Sequence, residues 1–166
     1  MMFSVDRQQS GKDHVKLLDE VIRLAIENVD AGGGPFGALV VRDGEVLATG
    51  VNEVTQSLDP TAHAELVAIR RACRAVNDFR LIGCTLISSC EPCPMCLAAA
   101  LWARVDRVLY AADRQDAAAA GFDDRAFYEL FNRPRAEWTL PVSQVRTGFE
   151  TGPFVAWDNS PNKVEY

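Results

Sequence analysis

An α/β domain with a mixed sheet is the fold class this sequence predicts. Three observations lead there: one long helical apolar period, one hairpin signature, and a strand-helix-strand alternation behind it. Val15, Leu18, Ile22, Ala25 and Val29 recur at helical spacing until Gly32-Gly33-Gly34-Pro35 stops the helix. Residues 36–41, the pair Asp43-Gly44 and residues 46–50 then read as two antiparallel strands around an Asp-Gly turn. A loop to Thr61 leads into a second helix whose inward face is Leu66, Ile69, Cys73 and Val76. A third strand at 85–89, a helix through Trp102 and a fourth strand at 107–111 follow, and such crossovers pair their strands in parallel. Beyond an Ala-rich stretch and Gly121-Phe122-Asp123-Asp124, the residues Phe127, Leu130 and Phe131 mark a short amphipathic helix. Pro141-Val142-Ser143-Gln144-Val145 reads as a fifth strand, and residues 153–166 as a terminal helix with a tail. Residues 1–13 are polar and aperiodic, a loose leader ahead of a single domain at 14–166.

Composition narrows the function classes. At 166 residues the chain is one ordinary domain with room for a core. It has no apolar run of membrane-spanning length and no charged-then-apolar leader, so no membrane partner and a cytoplasmic location are expected. Five cysteines is an odd number that suggests no disulfide framework, as expected of a reducing compartment. A net charge of -6 and a pI near 4.9 argue against a nucleic-acid partner, because phosphate contacts need concentrated Lys and Arg. A small neutral substrate needs no such steering.

His63-Ala64-Glu65, followed by Pro92-Cys93-Pro94-Met95-Cys96, carries the chemistry. An imidazole and two thiolates are zinc ligands, and a catalytic zinc takes three protein donors and leaves its fourth position to water. His63, Cys93 and Cys96 make three. Cys93 and Cys96 lie three apart at a helix start with Pro94 in the first turn, so both sulfurs project from the same end, where exposed N–H groups favour thiolate. Two thiolates offset the metal's charge and weaken its acidifying effect on water, so a local base is wanted. Glu65 is that base: it takes the proton of the water and delivers protons to the departing group. A closed, purely structural site with Cys90 as fourth ligand is the competing reading, since Cys90, Cys93 and Cys96 form overlapping C-x-x-C spacings. Against it, Cys90 ends an apolar run, where a free cysteine acts as a small hydrophobe.

With these residues in place, the chain resembles the cytidine deaminase superfamily and, within it, the bacterial guanine deaminases, from about Gly34 to Tyr166. The superfamily is carried by Gly34-Pro35-Phe36-Gly37-Ala38, Asp59-Pro60-Thr61-Ala62-His63-Ala64-Glu65 and residues 89–97; the H-x-E and P-C-x-x-C pair is its zinc signature. The narrower likeness rests on Ala120-Gly121-Phe122-Asp123-Asp124 and the closing Glu165-Tyr166. The resemblance implies a three-layer α-β-α cytidine-deaminase-like fold around a central five-stranded mixed sheet. It implies one zinc ion per subunit, and a homodimer that exchanges its C-terminal segment from about residue 150 onward. The implied reaction is hydrolysis of guanine to xanthine and ammonia, with Glu65 handling the protons.

By the same resemblance Asn52 hydrogen-bonds the purine, Ala64, Phe36 and Trp102 line it, and Asp124 reads the 2-amino side or carries a second proton. Trp157 and Tyr166 then close the pocket across the interface. The residues alone also admit plainer roles. Asn52 closes the turn after its strand, Asp124 caps the helix near Arg125, the aromatics are core, and the end frays. Guanosine or an aminotriazine is the nearest rival substrate on the same site; deaminases of tRNA adenosine and of cytosine carry the same metal triad, the first disfavoured by the acidic balance, and a zinc-stabilised binding protein would not need Glu65.

Overall fold

The computed structural model describes residues 4–165, with side chains from residue 13 onward. The chain divides into two units, Met1–Arg125 and Ala126–Tyr166. In the first, α1 (Ser4–Asp30) precedes a hairpin of β1 (Gly34–Arg42) and β2 (Glu45–Asn52). A short α2 (Val54–Ser57) and the longer α3 (Ala64–Val76) follow, then β3 (Cys84–Cys90), α4 (Pro94–Trp102), β4 (Arg107–Ala112) and α5 (Arg114–Ala119). Helix α1 starts well before Val15, where the apolar period begins; of residues 1–13, the first three lie outside the described residues.

The sheet is mixed and has four strands in the order β2-β1-β3-β4. Strand β1 is antiparallel to both β2 and β3, whereas β3 and β4 run parallel, as the crossover through α4 requires. At the hairpin tip Asp43 and Gly44 both adopt positive φ, 52° and 84°, the type I′ geometry for which Asp-Gly is suited. Alternate residues of the central strands feed opposite faces. Ala38, Val40 and Leu86 pack with Ala64, Ala68, Ile69 and Ala72 of α3 and Ala100 of α4, while Leu39, Val41 and Ile87 pack with Val21 of α1. Those two cores make the three α-β-α layers.

Helix α3 lies so close to β2 that a Cβ on Gly50 would meet the Ala64 carbonyl oxygen at 2.2 Å and the Ala68 nitrogen at 2.5 Å. The fully buried residues of α3 are therefore the small Ala64, Ala68 and Ala72, with Leu66 and Ile69 beside them and Cys73 and Val76 only partly covered.

The fifth strand is a correction. Among the described residues, Pro141 to Val145 form no strand, and the sheet has four. A strand exists only through a hydrogen-bonded neighbour, and Pro141 brings no N–H to such a ladder. The stretch lies in the second unit, whose elements are α6 (Arg125–Phe131, all but its first residue), a 3-10 turn at Arg135–Glu137 and α7 (Gly152–Asp158). That unit is pinned locally by an edge-to-face contact of Phe131 with Trp138, whose indole N–H donates to the Arg133 carbonyl. Its helices bury no residue, and Val145, Phe149 and Phe154 are more than two-thirds exposed.

Candidate metal centre

Both metal-binding segments are helix entrances. His63 is the residue just before α3 and Cys93 the residue just before α4, each in an extended conformation, so their side chains precede the first turns, and Cys96 follows one turn inside α4. Pro94 fits the first position of α4 because that N–H has no helical partner to lose. Strand β3 ends at Cys90 and delivers the loop; the Glu91 N–H donates to the Ala112 carbonyl, which locks the loop to the end of β4.

Here the His63 Nδ1 lies 3.7 Å from Cys93 Sγ and 3.6 Å from Cys96 Sγ, and the three ligand atoms all fall within 4.8 Å of one another. Zinc bonds of about 2.0 Å to nitrogen and 2.3 Å to sulfur at tetrahedral angles put those atoms about 3.5 Å apart. The cluster fits zinc. Interaction with Cys96, ahead of the His63 hydrogen bond, brings Cys93 down to about 4, while the neighbouring Cys93 sulfur and burial hold Cys96 far above the ordinary thiol range, so the pair keeps its one proton on Cys96. A divalent cation replaces that proton, so metal uptake releases it to solvent. The Cys93 sulfur raises the His63 imidazole, mainly through their hydrogen bond, against the opposing effect of burial.

Cys90 stands outside the cluster. Its thiol lies 3.6 Å from the Asp113 carbonyl, to which it donates, and burial pushes it up to about 11, so it stays a thiol. The open three-ligand reading is the one the geometry supports. Changing Cys90→Ser is expected to leave one zinc per chain and parental turnover, checked by metal analysis and ammonia release; loss of zinc would restore the closed site.

Glu65, in the first turn of α3, is 5 % exposed. Its Oε1 accepts from the Ser88 hydroxyl at 3.0 Å and its Oε2 from the Cys96 thiol at 3.4 Å. Burial, first among the causes, raises its proton affinity. A carboxyl with raised proton affinity set beside the metal donors is suited to carry a proton. Asp124 is raised too, by burial and then by the Cys93 charge, and its buried Oδ1 has no hydrogen-bond partner among the described residues. Asp123, not Asp124, accepts from the Arg125 N–H, so the capping role belongs to its neighbour.

Asn52 ends β2, buried, with its Oδ1 accepting from the Val54 N–H at 3.3 Å; the turn after the strand is indeed closed by it. Its main-chain carbonyl accepts from Asn28, which also binds the Gly34 carbonyl and so ties α1 to the start of β1 and the end of β2. Phe36 meets Phe122 edge to face at 5.0 Å and packs on the α3-side core. Ala64 is fully buried in α3. Trp102 closes α4, 61 % exposed and about 9 Å along the axis from Cys96 at helical rise. Trp157 lies on α7 in the second unit, 40 % exposed, and Tyr166 lies outside the described residues.

Two features escape a reading of the motifs. Ser88 touches Glu65, and Glu91 accepts from Arg114 through its main-chain N–H at 3.2 Å, its Nε at 3.0 Å and a short contact from its terminal nitrogen. That ion pair fastens the loop before Cys93 to the start of α5 and holds Glu91 below the usual carboxylate range. The signal for Ser88 was present: two hydroxyls in an apolar strand demand partners.

Comparison with known proteins agrees with this geometry. Residues 11–112 match the zinc-binding region of cytidine and deoxycytidylate deaminases. Guanine deaminase of Bacillus subtilis (strain 168) is 51% identical over 155 residues, which cover 93% of this chain and 99% of that protein. The crystal structure of the B. subtilis guanine deaminase superposes with a TM-score of 0.89, covering 92% of this chain and 98% of its own. Another solved protein, in complex with 2,6-diaminopurine, is 35% identical with a TM-score of 0.63, covering 65% of this chain and 61% of its own. The four-stranded core described above is thus of the cytidine-deaminase type.

Proposed function

The chain belongs to the cytidine and deoxycytidylate deaminase zinc-binding family, and we propose that within it this enzyme hydrolyses guanine to xanthine and ammonia. One observation carries the reading: a buried carboxylate, Glu65, stands against a three-donor cluster with no fourth protein ligand among the described residues. His63, Cys93 and Cys96 would hold zinc, which when bound would supply the Lewis acidity that makes a water molecule nucleophilic near neutral pH. Glu65 accepts the proton of that water, then passes protons to a ring nitrogen and to the amine that departs as ammonia. Asp124 offers the unpartnered Oδ1 as acceptor for an N–H of the 2-amino group. Asn52, Ala64, Phe36 and Trp102 form the rest of the base site from this chain, and Trp157 and Tyr166 of the exchanged segment close it across the dimer interface.

The enzyme acts as a homodimer in which residues from about 150 onward are exchanged. Exposed Leu101, Trp102, Val145, Phe149 and Phe154 support this, as does a strand-like stretch at 141–145 with no ladder of its own. Among the described residues no helix is long and apolar enough to cross a membrane, and all five cysteines are free, which supports a reducing, cytoplasmic setting. The acidic charge and a purine base as substrate leave nucleic acid without a role.

Incubation with guanine, guanosine, adenine, cytosine and an aminotriazine, with ammonia followed and products weighed by mass, tests the assignment. Guanine is expected to turn over far faster than the others, because a site with a committed acceptor at the 2-amino position is left unpaired by a base lacking it. Faster release from another compound would move the substrate. Deleting residues 159–166 is expected to lower kcat/KM by about 10²-fold, the scale of a misplaced substrate, with zinc retained; unchanged turnover would remove the C-terminal segment from the site.

A further inference from the structure

We infer that Ser88 is a positioning residue for Glu65, fixing which of its two carboxylate oxygens does the proton work. This rests on the deaminase reading above. Ser88 is fully buried on β3, flanked across the sheet by Ala38 and Tyr110, and shares a strand face with Leu86, which lies in the α3-side core. It therefore points at the first turn of α3, where Glu65 stands, and its hydroxyl donates to Oε1 at 3.0 Å. The adjacent Ser89 points to the other face and does a different job: its Oγ accepts from the Gly37 N–H of β1 at 3.0 Å.

The two oxygens of Glu65 face different partners. Oε1 is held by the Ser88 hydroxyl at 3.0 Å, and Oε2 is turned toward Cys96, at 3.4 Å, on the side of the metal cluster. Anchoring Oε1 therefore keeps Oε2 aimed at the side where the proton work is done. A carboxylate without the anchor rotates about its last torsion, a soft two-fold degree of freedom, and presents Oε2 correctly for only part of the time.

Two variants, measured against the parent, test this: Ser88→Ala and Ser88→Thr. Ser88→Ala is expected to lower kcat by about tenfold to a hundredfold, the range set by a small misplacement of a reacting group. KM for guanine and one bound zinc per chain are both expected to stay at parental values. Ser88→Thr keeps the hydroxyl and is expected to recover kcat to within about threefold of the parent. Parental kcat in Ser88→Ala overturns the inference, as does a loss of kcat that merely tracks lost zinc or raised KM. Where the added methyl of threonine prevents folding, seen as lost zinc and a lowered Tm, the alanine variant decides alone by the same criteria. Failure of the parent to act on guanine would instead strike the substrate assignment, which zinc content does not depend on.

Discussion

Replacing Glu65 with Gln abolishes ammonia release while zinc stays at one per chain: this is the largest effect expected of any single substitution that leaves the metal in place. The amide has the shape of the carboxylate, so its oxygen still accepts from Ser88 and the packing of α3 on the sheet is undisturbed. None of the three metal donors is touched. What disappears is the ability to hold a proton and give it back. Burial raises the proton affinity of Glu65 above its ordinary value, which favours its taking the proton of the water. Proton transfer by a placed side chain contributes about 10²–10⁴-fold, and a carboxylate serving several transfers in one turnover belongs at the upper end. Metal analysis beside an ammonia assay checks this; undiminished release would take Glu65 out of the chemistry.

Cys96→Ala is expected to empty the centre. Cys96 is fully buried, and its removal leaves an imidazole and one thiolate, too few donors to retain zinc through dialysis. Turnover is lost together with the metal. The chain also loses the stabilisation that a tightly bound ion gives the folded state, so its Tm is expected to fall toward that of parent enzyme stripped by a chelator. Calorimetry with and without added zinc checks this: the chelator-stripped parent shifts upward on zinc addition and the variant does not. Retained zinc and activity would place the metal elsewhere.

Much of the centre was legible in the sequence because its chemistry is fixed by residue type and short spacing. His63 with Glu65 two residues on, and Cys93 with Cys96 three on, can be read without knowing how the chain folds. So can the Asp43-Gly44 turn, whose positive φ angles few other pairs adopt. Partnerships between elements were harder. Ser88 is 23 residues from Glu65, and Glu91 is equally far from Arg114, so neither bond leaves a local pattern. The buried side of α3 is lined by Ala64, Ala68 and Ala72, which mark no hydrophobic stripe, because Gly50 lets the helix lie against the sheet. The stretch from Pro141 to Val145 shows the opposite failure. Its residues suit a strand, but a strand is a relation between two backbones, and composition cannot supply the second one.

The most direct measurement is turnover of guanine by the zinc-loaded enzyme in ¹⁸O-labelled water, with the product identified by mass. Xanthine carrying a single ¹⁸O atom at the carbon that lost its amine, with one ammonia released per xanthine, is the expected result. Zinc-loaded, folded enzyme that leaves guanine untouched, or that yields xanthine without the label, would contradict hydrolysis at the His63, Cys93 and Cys96 centre.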